Sequence, residues 1–365
     1  MATLPRIPTD ILGDLIEART TAQVDTIMRR LPVVSPEDYH WDYGGKVVGT
    51  WREGHLHWVP VGGKEKRGNG GQIKLAGQPT NPIAERLVNG MEAIIELERL
   101  RELRTKPSEP MPMSPRDAVM RYFGLPRLDS IPRIENAEER RRMLDRVNEI
   151  RRKLSVRLAF DRRSREFAVA VRDAGMGQEP GRIHETLLSL GQTDKADKPY
   201  LIGVFGQGGS SAFQASECSV IVSRRNSDLL GGRQNGGIGW SIVRQIVPKG
   251  RRDLYFAYLA ASPDGSVPSF DAAAADAAKF EHGSQFCHIK YDFGGSGAAV
   301  ARLMYQALNH ILFNPILPYD LFTIDKDLPE LMQGTAQRLA RQTVKLGRQQ
   351  SLDKSFTDQP VGNVG

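Results

Sequence analysis

The chain has 365 residues, 40% hydrophobic and 25% charged, which leaves room for two domains of ordinary size and excludes a disordered or fibrous chain. Its net charge of +7 and pI of about 9.4 permit contact with nucleic acid or an acidic surface without establishing it. Two cysteines, Cys218 and Cys287, exclude a disulfide framework or zinc knuckle, and with no apolar run near ~20 residues and no secretory signal the expectation is a cytoplasmic protein with no membrane partner.

Residues 9–30 carry Leu12, Leu15, Ile16, Val24, Ile27 and Met28 at helical spacing and predict a helix. From 38 to 77 the character changes. KVVGTW and HLHWVPV predict short strands, and GGKEKRGNGGQ, from Gly62, a loop. His55 and His57 fit one strand face, but no further ligand type clusters with them, so they do not read as a metal site. Asn81-Pro82 starts a helix, because a proline in the first turn gives up an N–H that has no helical partner. Ile83, Leu87, Met91, Ile94 and Ile95 give that helix its apolar face.

The stretch from about 97 to 150 is charged, mostly helical and broken by PSEPMPMSP, which predicts a helical insertion or hairpin. Within it, EERRRMLDRVNEIRRK alternates acids and bases as a solvated helix face does. A β-hairpin follows: VRLAF, the polar turn DRRSRE, then FAVAVRD. RIHETLLSL predicts a helix and SECSVIVSRR a strand. Residues 251–260 and 285–293 predict two more strands, and 301–313 a helix. From about Gln349 the chain is polar and predicted to fray, and no internal repeat is present.

Four motifs carry chemistry. In NPIAERLVNGMEAI, at 81–94, Glu85 and Asn89 are four apart and project from one helix face, with Glu92 a further turn along that side. An amide oxygen is a hard ligand for Mg²⁺, and a carboxylate can orient or deprotonate water; a solvated helix face has the same pattern. In VRDAGMG, at 171–177, a strand delivers Asp173 into a turn containing Gly175 and Gly177. Such an acid can accept a hydrogen bond from an exocyclic amine while the glycines admit a flat base, or it can be an ordinary turn.

The third motif, from Gly191, brings Gly203, Gly206, Gly208 and Gly209 before Ser210-Ser211, where a starting helix would add its dipole to a phosphate cradle. It has neither P-loop nor dinucleotide-fold spacing. In the fourth, EHGSQFCHIKYDF from Glu281, Ser284 opens an alternating strand and could bond a base or a bridging water.

In order and spacing these motifs resemble the GHKL superfamily of gyrase, heat-shock chaperone, histidine kinase and MutL, over residues 81 to 293. LIGVFGQGGSSAF is similar to the phosphate-binding segment of the ninety-kilodalton heat-shock chaperones. Gly191, Thr193 and Lys195 resemble the G-x-[ST]-x-K element of microrchidia-type ATPases. Three positions depart from the family pattern. Val88 precedes Asn89, Ala174 stands where Asn is usual, and Ser284 stands for Thr.

The resemblance implies an α+β fold: a two-layer α/β sandwich with a mixed, mostly antiparallel sheet and helices on one face. It implies a 1–80 arm able to act as a dimer strap, an ATP-binding domain over 81–300 with the insertion at about 97–150, and a C-terminal helical segment over 301–365 that starts a transducer or tail. Glu85 is then the general base, and Asn89 the Mg²⁺ ligand. Asp173 reads the adenine amine, with Gly175, Gly177 and Ser284 beside the base. Gly203, Gly206, Gly208, Gly209 and Ser210 hold the phosphates. Lys195, with Lys198 as a substitute, approaches from a lid over 178–205. A phosphate-contacting cation is also expected from beyond the fourth motif, and Lys345 in RQTVKLGR is the candidate, against an amphipathic terminal helix.

The expected cofactors are ATP and Mg²⁺. The expected function is ATP hydrolysis driving lid closure and homodimerisation, a switch on a nucleic-acid or protein client in DNA maintenance or defence. Two alternatives remain. Histidine-kinase-like phosphotransfer needs an acceptor histidine on a helical hairpin, and His40, His55 and His57 lie in strand-like sequence. A nucleotide-binding module without turnover would not need the Glu85–Asn89 pair.

Overall fold

The hairpin expected around the DRRSRE turn forms as β4 (Leu154–Asp161) and β5 (Glu166–Asp173). They run antiparallel, with Val156 opposite Val171 and Phe160 opposite Phe167. The structure, a computed structural model, describes residues 5–346 apart from 6, 43–45, 64–68, 70–72, 74–75, 191–196, 203–209, 232–235, 248, 250–253, 296, 325 and 327.

Around the hairpin grows a 10-stranded sheet. Its other strands are β3 (His57–Pro60), β6 (Cys218–Arg224), β7 (Ile238–Ile246), β8 (Tyr255–Ala260), β9 (Ser269–Phe270), β10 (Gly283–Ile289), β11 (Tyr319–Phe322) and β12 (Glu330–Met332). The order is β12-β11-β4-β5-β10-β6-β7-β8-β3, with β9 beside β7. Every pairing in it is antiparallel except that of β11 with β4. β1 (His40–Trp41) and β2 (Val47–Val48) form a separate pair. The mixed, mostly antiparallel sheet expected from the sequence is present.

On the first face lies α3 (Asn81–Thr105), which buries Ile83, Leu87, Met91, Ile94 and Ile95 against Val156, Val169 and Val171. The helix runs unbroken past 97, so the charged stretch begins inside it. It continues as α4 (Pro115–Phe123) and α5 (Ala137–Ile150), which add Val119, Val147 and Ile150 to the same core. Residues beyond 300, expected as a helical segment, contribute α9 (Gly297–Ile311) and α10 (Gly334–Leu346), and also β11 and β12.

Helices also cover the second face, where the sequence predicted none. Residues 9–30 make two helices, α1 (Ile11–Glu17) and α2 (Thr21–Arg29). A capping box between Thr20 and Gln23 starts the second, a T-x-x-Q signal legible in the sequence. Both pack on Ala168, Ala170, Val220 and Val222 with Leu12, Leu15, Val24 and Ile27. The Gln285 side chain donates to the Ile16 carbonyl at 2.9 Å, and the Thr21 hydroxyl donates to Glu166 at 2.6 Å. A shorter helix, α8 (Ala272–Ala277), adds Ala275. The cause lies in β5. Its apolar run is continuous rather than alternating, so both sides need cover. Among the described residues, no helix is long and apolar enough to cross a membrane.

Leu15 is fully buried between α1 and the sheet. Leu15→Ala should lower the unfolding free energy by about 3 kcal/mol. Urea titration with an unchanged m-value would register that loss.

Candidate functional site

Three neighbouring strands set out side chains in rows on the first face. Ser284 of β10 lies opposite both Asp173 of β5 and Ser223 of β6. Two residues along, Phe286 lies opposite Val171 and Ile221. A further two along, His288 lies opposite Val169 and Ser219. The first row is polar, the second apolar, and the third brings the buried polar pair His288 and Ser219 beside Val169. Two apolar clusters share this face, one under α3 and one around Phe213, Ile221, Phe256 and Tyr258.

The polar row is closely bonded. The Ser223 hydroxyl lies 2.9 Å from that of Ser284, donates to the Gly283 carbonyl at 3.1 Å, and accepts from the Gln178 N–H at 2.9 Å. Asp173 Oδ1 accepts from the Gly175 N–H at 2.9 Å. Burial pushes the Asp173 carboxyl up to about 7, against the backbone N–H groups of Gly175 and Ser284, which hold it down.

Helix α3 crosses directly over this acid because residue 90 has no side chain. A Cβ there would lie 2.6 Å from Leu154 Cδ1 and 3.3 Å from Asp173 Cβ. The turn after β5 docks on the same helix, with the Met176 N–H donating to the Ala93 carbonyl at 3.0 Å. Gly177 takes a φ of 58°, and a Cβ there would run into the Arg224 carbonyl, so only glycine fits. Arg225 Nη1 donates to the Gly177 carbonyl at 3.1 Å, and the Asn226 N–H donates to that of Met176 at 2.9 Å. Asp173, Gly175, Gly177 and Ser284 are therefore brought together as expected.

Glu85 and Asn89 lie one turn apart on α3, and both reach solvent. Partial desolvation raises the Glu85 carboxyl above its ordinary range, opposed by the charge of Arg86. Glu92, a further turn along that side, is buried rather than open to solvent, and its Oε1 accepts from the Ile202 N–H at 2.7 Å. Glu96, one turn further, accepts from Lys198 Nζ at 2.8 Å and from the Tyr200 hydroxyl at 2.7 Å. Lys198, expected as a phosphate contact, is held here by Glu96.

Ser210 sits immediately before α7 (Ser211–Gln214). Lys195, Gly203, Gly206, Gly208 and Gly209 lie outside the described residues, as do Gly191 and Thr193. Lys345 is exposed in α10, which packs on α9 and the turn at Ile131–Arg133. Sequence reasoning passed over Arg86, Glu96, Ser223 and Arg225. Glu96 carried a signal, an acid one turn beyond Glu92 within an apolar run. Arg86 carried one too, at a position where the helix period points inward.

Among the described residues, no group of three His, Cys, Asp or Glu side chains could hold a metal ion. Asn89 carries an amide oxygen on an exposed residue one turn from the Glu85 carboxylate. It fits an ion that keeps its waters and arrives with a phosphorylated ligand. No protein-family model matches the chain, and no curated protein matches it.

Asp173 predicts a pH signature. Its folded pKa lies above the unfolded value, so the native state binds the proton more tightly. The stability it contributes is full below pH 4 and is lost as pH rises through about 7, a change on the order of 4 kcal/mol at 1.36 kcal/mol per tenfold step. Asp173→Asn cannot titrate, so its stability should gain on the wild type between pH 4 and 7 and then run parallel. Parallel curves over the whole range, by urea titration at each pH, would contradict the assignment.

Proposed function

We propose that the chain is a GHKL-type ATPase, binding ATP over the Asp173–Ser284–Ser223 row and hydrolysing it with Glu85. The observation that carries the reading is the contact of Gly90 with Asp173. It ties a buried acid, suited to an amine, to the same helix that carries an accessible carboxylate and carboxamide. The ionised Asp173 accepts from the adenine amine, and the serine hydroxyls bond the base edge beside it. Glu85 takes the proton of the attacking water, a task its raised pKa favours. Asn89 would hold Mg²⁺, which when bound neutralises charge on the phosphates.

Glu92 and Glu96 fasten residues 198–202 to the helix that bears Glu85. This gives the segment on the ATP site's rim a direct mechanical link to the catalytic helix. ATP binding orders that rim and pairs two protomers, and hydrolysis releases them. The client is a nucleic acid or a protein, and the net charge of +7 favours the first.

Glu85→Gln should bind ATP within a few-fold of wild type while releasing phosphate at least ~100-fold more slowly. Equal turnover by the two proteins would remove Glu85 from the mechanism. Light scattering should report a doubled mass with a non-hydrolysable ATP analogue and a monomer without it. A monomer in both would count against the dimer switch.

A further inference from the structure

Arg86 is unusual for a residue on the inner side of α3. Its neighbours in the buried face are Phe213, Phe286, His288 and Tyr291, and it is only 7% exposed. Its Nε has no hydrogen-bond partner among the described residues, and the neighbouring Glu85 carboxylate acts on it through its charge without a hydrogen bond to it among those residues. Burial lowers its pKa to about 9, so it remains a cation at neutral pH. The guanidinium carbon lies 3.9 Å from the centre of the Phe286 ring and 5.4 Å from that of Phe213. Contact through the face of the group uses none of its N–H bonds, which all lie in its plane. His288 cannot supply a negative partner. Burial and the Arg86 charge keep it neutral, and its Nε2 is likewise without a partner.

Two independent measures locate this cation relative to Asp173. Arg86 and Gly90 are four apart on α3, so they share a face about 6 Å apart along the axis. Gly90 lies against Asp173. On the sheet, Phe286 is two residues from Ser284, the partner of Asp173, which is about 6.7 Å along the strand. Both measures set the level of Arg86 and Phe286 about 6 to 7 Å along the face from that of Gly90 and Asp173, roughly the breadth of one fused ring system. A 6-aminopurine has a matching edge, an amine flanked on either side by a ring nitrogen with a free lone pair.

We propose that Arg86 reads the base of the bound nucleotide, donating from its guanidinium edge to a ring nitrogen of a purine whose amine is held by Asp173. The proposal rests on the nucleotide reading above and adds a specificity-determining residue to it. It explains why a cation is kept in an apolar floor with its Nε unpartnered among the described residues. The partner is the ligand, and a leucine in its place would suit the empty fold better.

The test compares ATP with 1-deaza-ATP and 7-deaza-ATP, each lacking one ring nitrogen, by calorimetry on wild type and Arg86→Leu. Wild type should bind one of the two analogues about tenfold more weakly than ATP. Arg86→Leu should bind ATP about tenfold more weakly than wild type and treat that analogue and ATP alike. Without nucleotide, the variant should melt at the wild-type temperature or above it. Wild type binding both analogues within twofold of ATP would overturn the proposal with no variant needed, and leave the nucleotide reading intact. So would a leucine variant that keeps the discrimination and melts several degrees lower, which is the behaviour of a purely structural arginine. Failure of wild type to bind ATP at all would remove the nucleotide reading and the proposal together.

Discussion

The close seating of α3 on β5 at Gly90 sets the position of every candidate group. With no side chain between them, the helix descends onto Leu154 and the Asp173 side chain. From that fixed point the helical period distributes the rest. One turn back lies Arg86, over Phe286. One turn forward the helix offers the Ala93 carbonyl to the glycine turn. Glu85 and Asn89 fall on the accessible side because they are out of phase with Gly90.

The first face of the sheet is not one continuous apolar surface. Val171, Phe286 and Ile221 run straight across it, flanked on one side by the row of Asp173, Ser284 and Ser223 and on the other by His288 and Ser219. Keeping a carboxyl there disfavours its charged form, which the raised Asp173 pKa records. Such a group persists when the surroundings hold it, and here the backbone N–H groups of Gly175 and Ser284 and the close approach of Gly90 do. The face thus carries a buried acid and, one row away, a buried cation over an aromatic ring.

Much of this was legible in the sequence, for reasons specific to each element. The 154–173 hairpin announced itself by two apolar runs around a polar turn, and α3 by its period and Asn-Pro start. The grouping of Asp173, Gly175, Gly177 and Ser284 followed from motif order, although the residues are over a hundred positions apart. The second layer of helices was not foreseen. A strand taken alone does not reveal what covers it, although the continuous run FAVAVRD already requires two covered faces. β11 and β12 were missed because short edge strands carry few residues of signal. β7, the longest strand described, was missed because Gly236-Gly237 and a mixed polar pattern precede and interrupt its apolar stretch. The burial of Glu92 was not legible because helical phase alone cannot tell a solvent-facing acid from one bonded to a returning loop. Its partner, the Ile202 N–H, is 110 residues away.

The strand order also governs when the cleft can exist. β10 lies between β5 and β6 in space but follows both in the chain, after residue 282. A nascent chain that has made β4 through β8 holds two strands in the middle of its sheet with unpaired edges toward each other. Such edges are prone to joining each other or another chain. Insertion of β10 satisfies both edges in one step and brings Ser284 to Asp173. Synthesis therefore proceeds for more than a hundred residues past the acid before its pocket can close, and the vulnerable interval for aggregation ends when β10 docks.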